Sequence, residues 1–264
     1  MLKAKTRKRA IRLCPPAARK PSGRCGRMRP EKPPERPDPA IYSQQERFAG
    51  GLDFNWNSPD ITTNNWSPWR LIPETSVEVT NLSTTVGAAN VLVHLYTSEF
   101  GIGMPRSILS TKVVNLPPAS KAELLFPLSQ AILNGSPLIA THVVVEHPHD
   151  AVTTNNTGEQ IINGVKTSES GRQLSFTFPV RNTEAAPQQI NLNVVPTDLN
   201  VSLSSTSHNF GPFEQISLTL NVEVPNSLQG TPVNNEIRRE LTVFATGAAG
   251  QLIGGLTHII LIDS

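Results

Sequence analysis

The chain has 264 residues, 38% hydrophobic and only 5% aromatic, with 23 prolines, 17 glycines and a formal net charge of +2. That is enough for two domains of about 100 residues, each able to build a Val, Ile and Leu core without disulfides or metal, while so much proline and glycine disfavours long helices and no apolar stretch approaches the roughly 18 residues of a membrane span. The charge is uneven: residues 1–36 carry 13 Lys/Arg against Glu31 and Glu35, a net of +11, which leaves 10 basic and 19 acidic residues in 37–264, a net of −9.

Residues 1–40 are rich in Arg, Lys and Pro, offer almost nothing to bury, and are expected to be a disordered arm. A basic arm can displace counterions from nucleic acid or another polyanion. No aromatics are interleaved for base stacking, which favours an inert arm, or translation starting at Met28. The basic start has no 7–15-residue apolar segment behind it, as a conventional signal peptide would, so the default location is cytoplasmic. Cys14 and Cys25 both lie in the arm, and two thiols are too few for a metal site.

Residues 41–56 form a connecting segment. Trp56, Trp66 and Trp69 follow one another in NWNSPDITTNNWSPW, where two Ser-Pro pairs mark turns. Indole faces could make a carbohydrate-stacking platform, or the rings could plug the end of a sandwich core.

From there the chain alternates apolar and polar residues in short runs separated by Pro, Gly and Asn. Alternation with period two puts successive side chains on opposite faces, as a half-buried strand requires. A first β-sandwich is expected over 57–166, with strands at Ser76–Asn81, Asn90–Thr97, Ser110–Leu116, Lys121–Phe126 and Leu138–His147. A second is expected over 167–264, with strands at Arg172–Asn182, Gln188–Val195, Phe213–Val224, Glu236–Ala245 and Gln251–Ile262. Two glycines in SEFGIGMP (98–105) call for positive φ or close backbone approach. Gly254-Gly255 inside the last strand suggests a bulge or a close neighbour. One long viral-type jelly roll is the alternative arrangement of these strands.

The densest polar cluster is EHPHDAVTTNNTGEQ (146–160). His147 and His149 share a face if the chain is extended there, so both could reach one metal ion beside Asp150; the oxygen-rich remainder could hold calcium. Asp and Asn are also the usual turn residues, which makes a structural loop the simpler reading. No serine sits in a Gly-x-Ser-x-Gly elbow, and no carboxylates form an acid–base pair. A triad assembled from distant segments leaves no such mark. His94, His142, His208 and His258 fall mostly within strand patterns, as surface or satisfied core histidines do.

DPAIYSQ (38–44), WNSPDI (56–61), FGIG (100–103) and the Asp150, Asn155-Asn156, Gly158-Glu159 run occur in that order. Over about residues 38–166 the chain thereby resembles bacterial proteins carrying an immunoglobulin-like module of the CARDB type. The resemblance implies an immunoglobulin-like fold and a link to bacterial cell adhesion. Combined with the strand pattern, it gives the expectation of an all-β protein of two tandem immunoglobulin-like β-sandwiches after a basic arm. The expected function is non-catalytic: protein–protein interaction or structural assembly of bacterial or phage-like type, without a cofactor. Carbohydrate or cell-surface binding through the tryptophans is the alternative.

Overall fold

The computed structural model describes residues 35–63, 74–128, 138–167, 173–224 and 236–263. Residues 1–34 of the basic arm, Trp66, Trp69 and the short segment at 168–172 lie outside them; the end of the arm, expected to be disordered to residue 40, is instead ordered, because Pro39–Ala40 pair with a strand of the first sandwich and Ala40 is buried.

The alternating runs become strands whose buried side chains meet in two separate cores. In β3 (Glu74–Asn81) every second residue is buried. One edge of β3 pairs with β1 (Pro39–Ala40) and β2 (Ile61–Thr63), and the other with β6 (Lys121–Pro127). The facing sheet runs β5 (Ser107–Leu116), β4 (Ala88–Glu99), β7 (Ile139–Glu146) and β8 (Thr157–Gln160). Val77, Val79, Val91, Val93, Leu95, Leu116 and Phe126 close this first core, each contributing roughly 1.5–3 kcal/mol by leaving water.

The second sandwich sets β10 (Gln173–Arg181), β14 (Gln215–Glu223) and β12 (Asn200–Leu203) against a five-stranded sheet. That sheet runs β13 (Ser207–Phe210), β11 (Gln188–Val194), β15 (Glu236–Gly247), β16 (Leu252–Asp263) and β9 (Ile162–Thr167). Its core includes Phe178, Val180, Ile190, Leu220, Leu241, Leu256 and Ile260. The protein is therefore all-β, two immunoglobulin-like sandwiches with separate cores rather than one long jelly roll.

Among the described residues, several contacts tie the sandwiches together, three of them built into the backbone's course. β9, all but its last residue inside the 57–166 boundary expected for the first sandwich, pairs in parallel with β16 from Ile162↔Thr257 to Thr167↔Ile262. The FGIG loop lays Ile102 beside β10: Ile102 N donates to Pro179 O and Arg181 N donates to Ile102 O, both at 3.0 Å. Gly103 has φ +70, and a Cβ there would fall 2.4 Å from Arg181 O, so only glycine permits this approach. Finally, the connecting segment forms a short helix α1 (Gln44–Ala49), capped by the Ser43 hydroxyl accepting from Glu46 N. It then inserts Trp56, fully buried, into the second core.

Both sandwiches turn the same corner with an asparagine at the end of a strand. Asn81 Nδ2 donates to Val86 O (2.9 Å) and Leu116 O (3.2 Å); Asn182 Nδ2 donates to Ala186 O (2.9 Å) and Gly211 O (2.7 Å). Their backbone N–H groups donate to Ser120 O and Glu214 O. A buried carboxamide thus satisfies carbonyls that the turning chain removes from its ladders.

Candidate functional site

A polar clasp sits where the sandwiches meet. Register places Glu159 of β8 directly opposite His142 of β7, and the carboxylate gathers groups from three other segments. Trp56 Nε1 donates to Glu159 Oε2 at 2.7 Å, Arg106 Nη2 pairs with Oε1, and His142 Nδ1 lies 3.4 Å from Oε1. Gln44 grips the same residue through the backbone, its Nε2 donating to Glu159 O (2.8 Å) and its Oε1 accepting from Glu159 N (3.1 Å). Trp56 is fixed further by its N–H to Thr257 Oγ1 and its carbonyl to Ile161 N, both at 2.9 Å. Its ring lies flat enough against β16 that a Cβ on Gly255 would sit 2.4 Å from it.

Electrostatics follow from this crowding. Burial would raise the Glu159 pKa, but His142, Arg106 and the Trp56 N–H together hold it down at about 2. His142 is 4% exposed, and burial lowers its pKa more than Glu159 raises it. A cavity of about 130 Å³ opens over Gln44, Trp56, Arg106 and Glu159.

Beyond His142, its Nε2 lies 2.9 Å from Ser98 Oγ. Serine, histidine and carboxylate therefore follow one another in the order of an acyl-transfer triad. The Ser98 hydroxyl, 9% exposed, also lies 2.9 Å from the carbonyl of Glu99, to which it donates.

Beside the clasp lies an open groove of about 540 Å³, lined by residues 103–106 of the first sandwich and by Arg181, Thr183, Phe213 and Ile253 of the second. Arg106 faces it with its side chain 42% exposed while pairing with Glu159. Arg181 is half-buried, and its guanidinium makes no hydrogen bond or ion pair among the described residues.

The residues singled out from the sequence are distributed differently. Trp56 has no exposed face and acts in the second core, so it offers no stacking surface; Trp66 and Trp69 are outside the described residues. The His147 and His149 rings lie 6.0 Å apart, and His147 Nδ1 accepts from the His149 N–H. Asp150 is buried, and its carboxylate accepts from Val152 N and Asn156 Nδ2. Among the described residues no group of three or more His, Cys, Asp or Glu is placed to hold a metal ion. The Asp150 carboxylate satisfies donors of the turn's own chain. Arg106, His142, Glu159, Arg181 and Phe213 were not recognisable as a group. Their spacings follow no motif, and only strand register brings them to one junction.

No protein-family model matches the sequence, and no curated protein matches it. Similar solved structures include Escherichia coli alpha-2-macroglobulin activated by porcine elastase, at 11% identity and a TM-score of 0.28, covering 86% of this chain and 22% of that one. Others are the B domain of a biofilm-associated protein, at 8% identity and 0.28 over 77% and 85% of the two chains, and a protein of unknown function from Porphyromonas gingivalis W83, at 10% and 0.25 over 72% and 91%. The chain thus spans about a fifth of the length of the E. coli protein.

Proposed function

We propose that the chain is a non-catalytic interaction module that joins a partner protein into a larger assembly. The observation that carries this reading is an open flank on the first sandwich, with Trp56 buried elsewhere. β5 ends one sheet and β6 ends the other, so two strand edges adjoin without a covering element among the described residues. Ile108, Val113 and Leu125 there are 58%, 59% and 45% exposed. Such an edge can add a partner strand through its free backbone groups, with the apolar side chains giving specificity.

The clasp supports the same reading. The Ser98 hydroxyl is 9% exposed and lies 2.9 Å from both the Glu99 carbonyl and His142 Nε2, and the Glu159 carboxylate is committed to Arg106 and Trp56. Its chemistry is that of a fastening between domains. The adhesion link implied by the CARDB-type resemblance is compatible with this role, whereas a carbohydrate platform loses Trp56.

The test is crosslinking in the native cells followed by purification and mass spectrometry. A stoichiometric protein partner crosslinked to the module is expected; recovery of the protein alone, across several crosslinker lengths, overturns the reading.

A further inference from the structure

The two sandwiches build the same corner from different residues, and the differences collect in the groove. Next to each corner asparagine a residue with left-handed backbone is required: Ala119 with φ 48 in the first sandwich and Phe213 with φ 54 in the second. Their N–H groups make the same bond, to Ser83 O (2.8 Å) and Glu184 O (3.1 Å). Alanine therefore suffices for this turn. A bulky side chain at positive φ is an outlier that strains the backbone, and the Phe213 ring is 51% exposed and joins neither core. The residue before the asparagine differs too. Thr80 precedes Asn81, whereas Arg181, with its guanidinium unpartnered among the described residues, precedes Asn182.

Arg181 and Phe213 line the same groove, together with Arg106, Met104 and Ile253. An unpaired guanidinium is a fork of donors shaped for a carboxylate, and the exposed ring beside it offers an apolar surface. Residues 37–264 are acidic as a whole, with a net of −9 from 10 basic and 19 acidic residues, yet the groove's lining carries two arginines and no carboxylate. We infer that the groove binds an acidic segment of a partner protein, with a carboxylate on Arg181, Arg106 as a second donor, and a neighbouring aromatic or aliphatic side chain against Phe213, Met104 and Ile253. This inference rests on the interaction-module reading and names the chemistry of the partner.

The test uses the full chain and an array of terminally blocked hexapeptides in Ser/Gly spacers. Each carries one Glu at every separation of one to three residues from a Phe or Leu, and each is matched by a peptide with Gln in place of Glu. The variants are Arg181→Thr and Phe213→Ala, which install the residues that the first corner already uses, so the fold is expected to keep its melting temperature. Acidic peptides are expected to bind at least tenfold more tightly than their Gln partners. Arg181→Thr should weaken them at least tenfold and Phe213→Ala at least fivefold. No preference for Glu, or binding indifferent to both substitutions, overturns the inference. The native crosslinking experiment separates the two readings: a partner still captured by the doubly substituted chain leaves the interaction module standing and removes the groove, whereas its loss from a chain of unchanged melting temperature supports both.

Discussion

His258 is a fully buried imidazole with neither ring nitrogen hydrogen-bonded among the described residues, stacked at 4.2 Å on Phe176 and flanked by Phe100 and Phe178. A strand pattern marks such a histidine as surface or satisfied core; it is core, and unsatisfied. An unmet buried polar group costs about 1–3 kcal/mol, so His258→Phe is expected to stabilise the protein in thermal melts at neutral pH. Burial holds this imidazole down at about 3 against an ordinary 6.5. As pH falls through 6.5 the unfolded chain takes up the proton first, so stability present above 6.5 is lost progressively toward pH 3. His258→Phe should flatten urea-derived stability across that window, and an unchanged slope would remove His258 as a source of acid sensitivity. Gly255→Ala makes the opposite case: its methyl would meet the Trp56 ring and Val243 O at 2.4 and 2.6 Å. Overpacking of this kind costs typically 1–3 kcal/mol, so a melting temperature lowered by several degrees is expected.

At the scale of elements, long strands were legible and short ones were not. β3, β4, β10, β14, β15 and β16 carry enough alternations to declare themselves, whereas β12 and β13, of four residues each, look the same as turns in sequence. β9 was not among the expected strands and fell inside the boundary drawn for the first sandwich, because its pairing with β16 is a register decided across about 95 residues. The clasp belongs to this scale, since Glu159 joins β8 to β7, to Trp56 and to Arg106. Glu159 is mostly buried but Arg106 is 42% exposed, so solvent screens the pair and removing the carboxylate costs about 1–3 kcal/mol in lost charge-assisted hydrogen bonds. Glu159→Gln should therefore lower the melting temperature by roughly 2–12 °C at 2–4 °C per kcal/mol, and no shift would show that the clasp adds nothing to the backbone pairing and apolar contacts of the junction.

For the molecule as a whole, the second core contains residues from both halves of the chain: Trp56, Phe100, Ile102, Ala140 and Ile161 pack with those of the second sandwich. A fragment starting at residue 167 lacks β9 and Trp56 and is expected to show no cooperative melt or dispersed amide spectrum, while the full chain unfolds in a single calorimetric transition. A well-folded fragment, or two resolved transitions, would make the sandwiches independent.

Period-two alternation by itself determined that this protein is all-β, because burying one face of a strand is a local requirement written in adjacent residues; that the strands form two sandwiches and not one jelly roll was decided by which buried faces meet. The close approaches at Gly103 and Gly255 were legible as glycine pairs for the same local reason, though their neighbours were not. The junction was decided only by tertiary structure. Arg106, His142 and Glu159, and likewise Arg181 and Phe213, are ordinary residues in ordinary strands and turns. They acquire partners, or conspicuously lack them, only when register and loop closure bring segments separated by as many as 200 residues within hydrogen-bonding distance, as with Trp56 and Thr257.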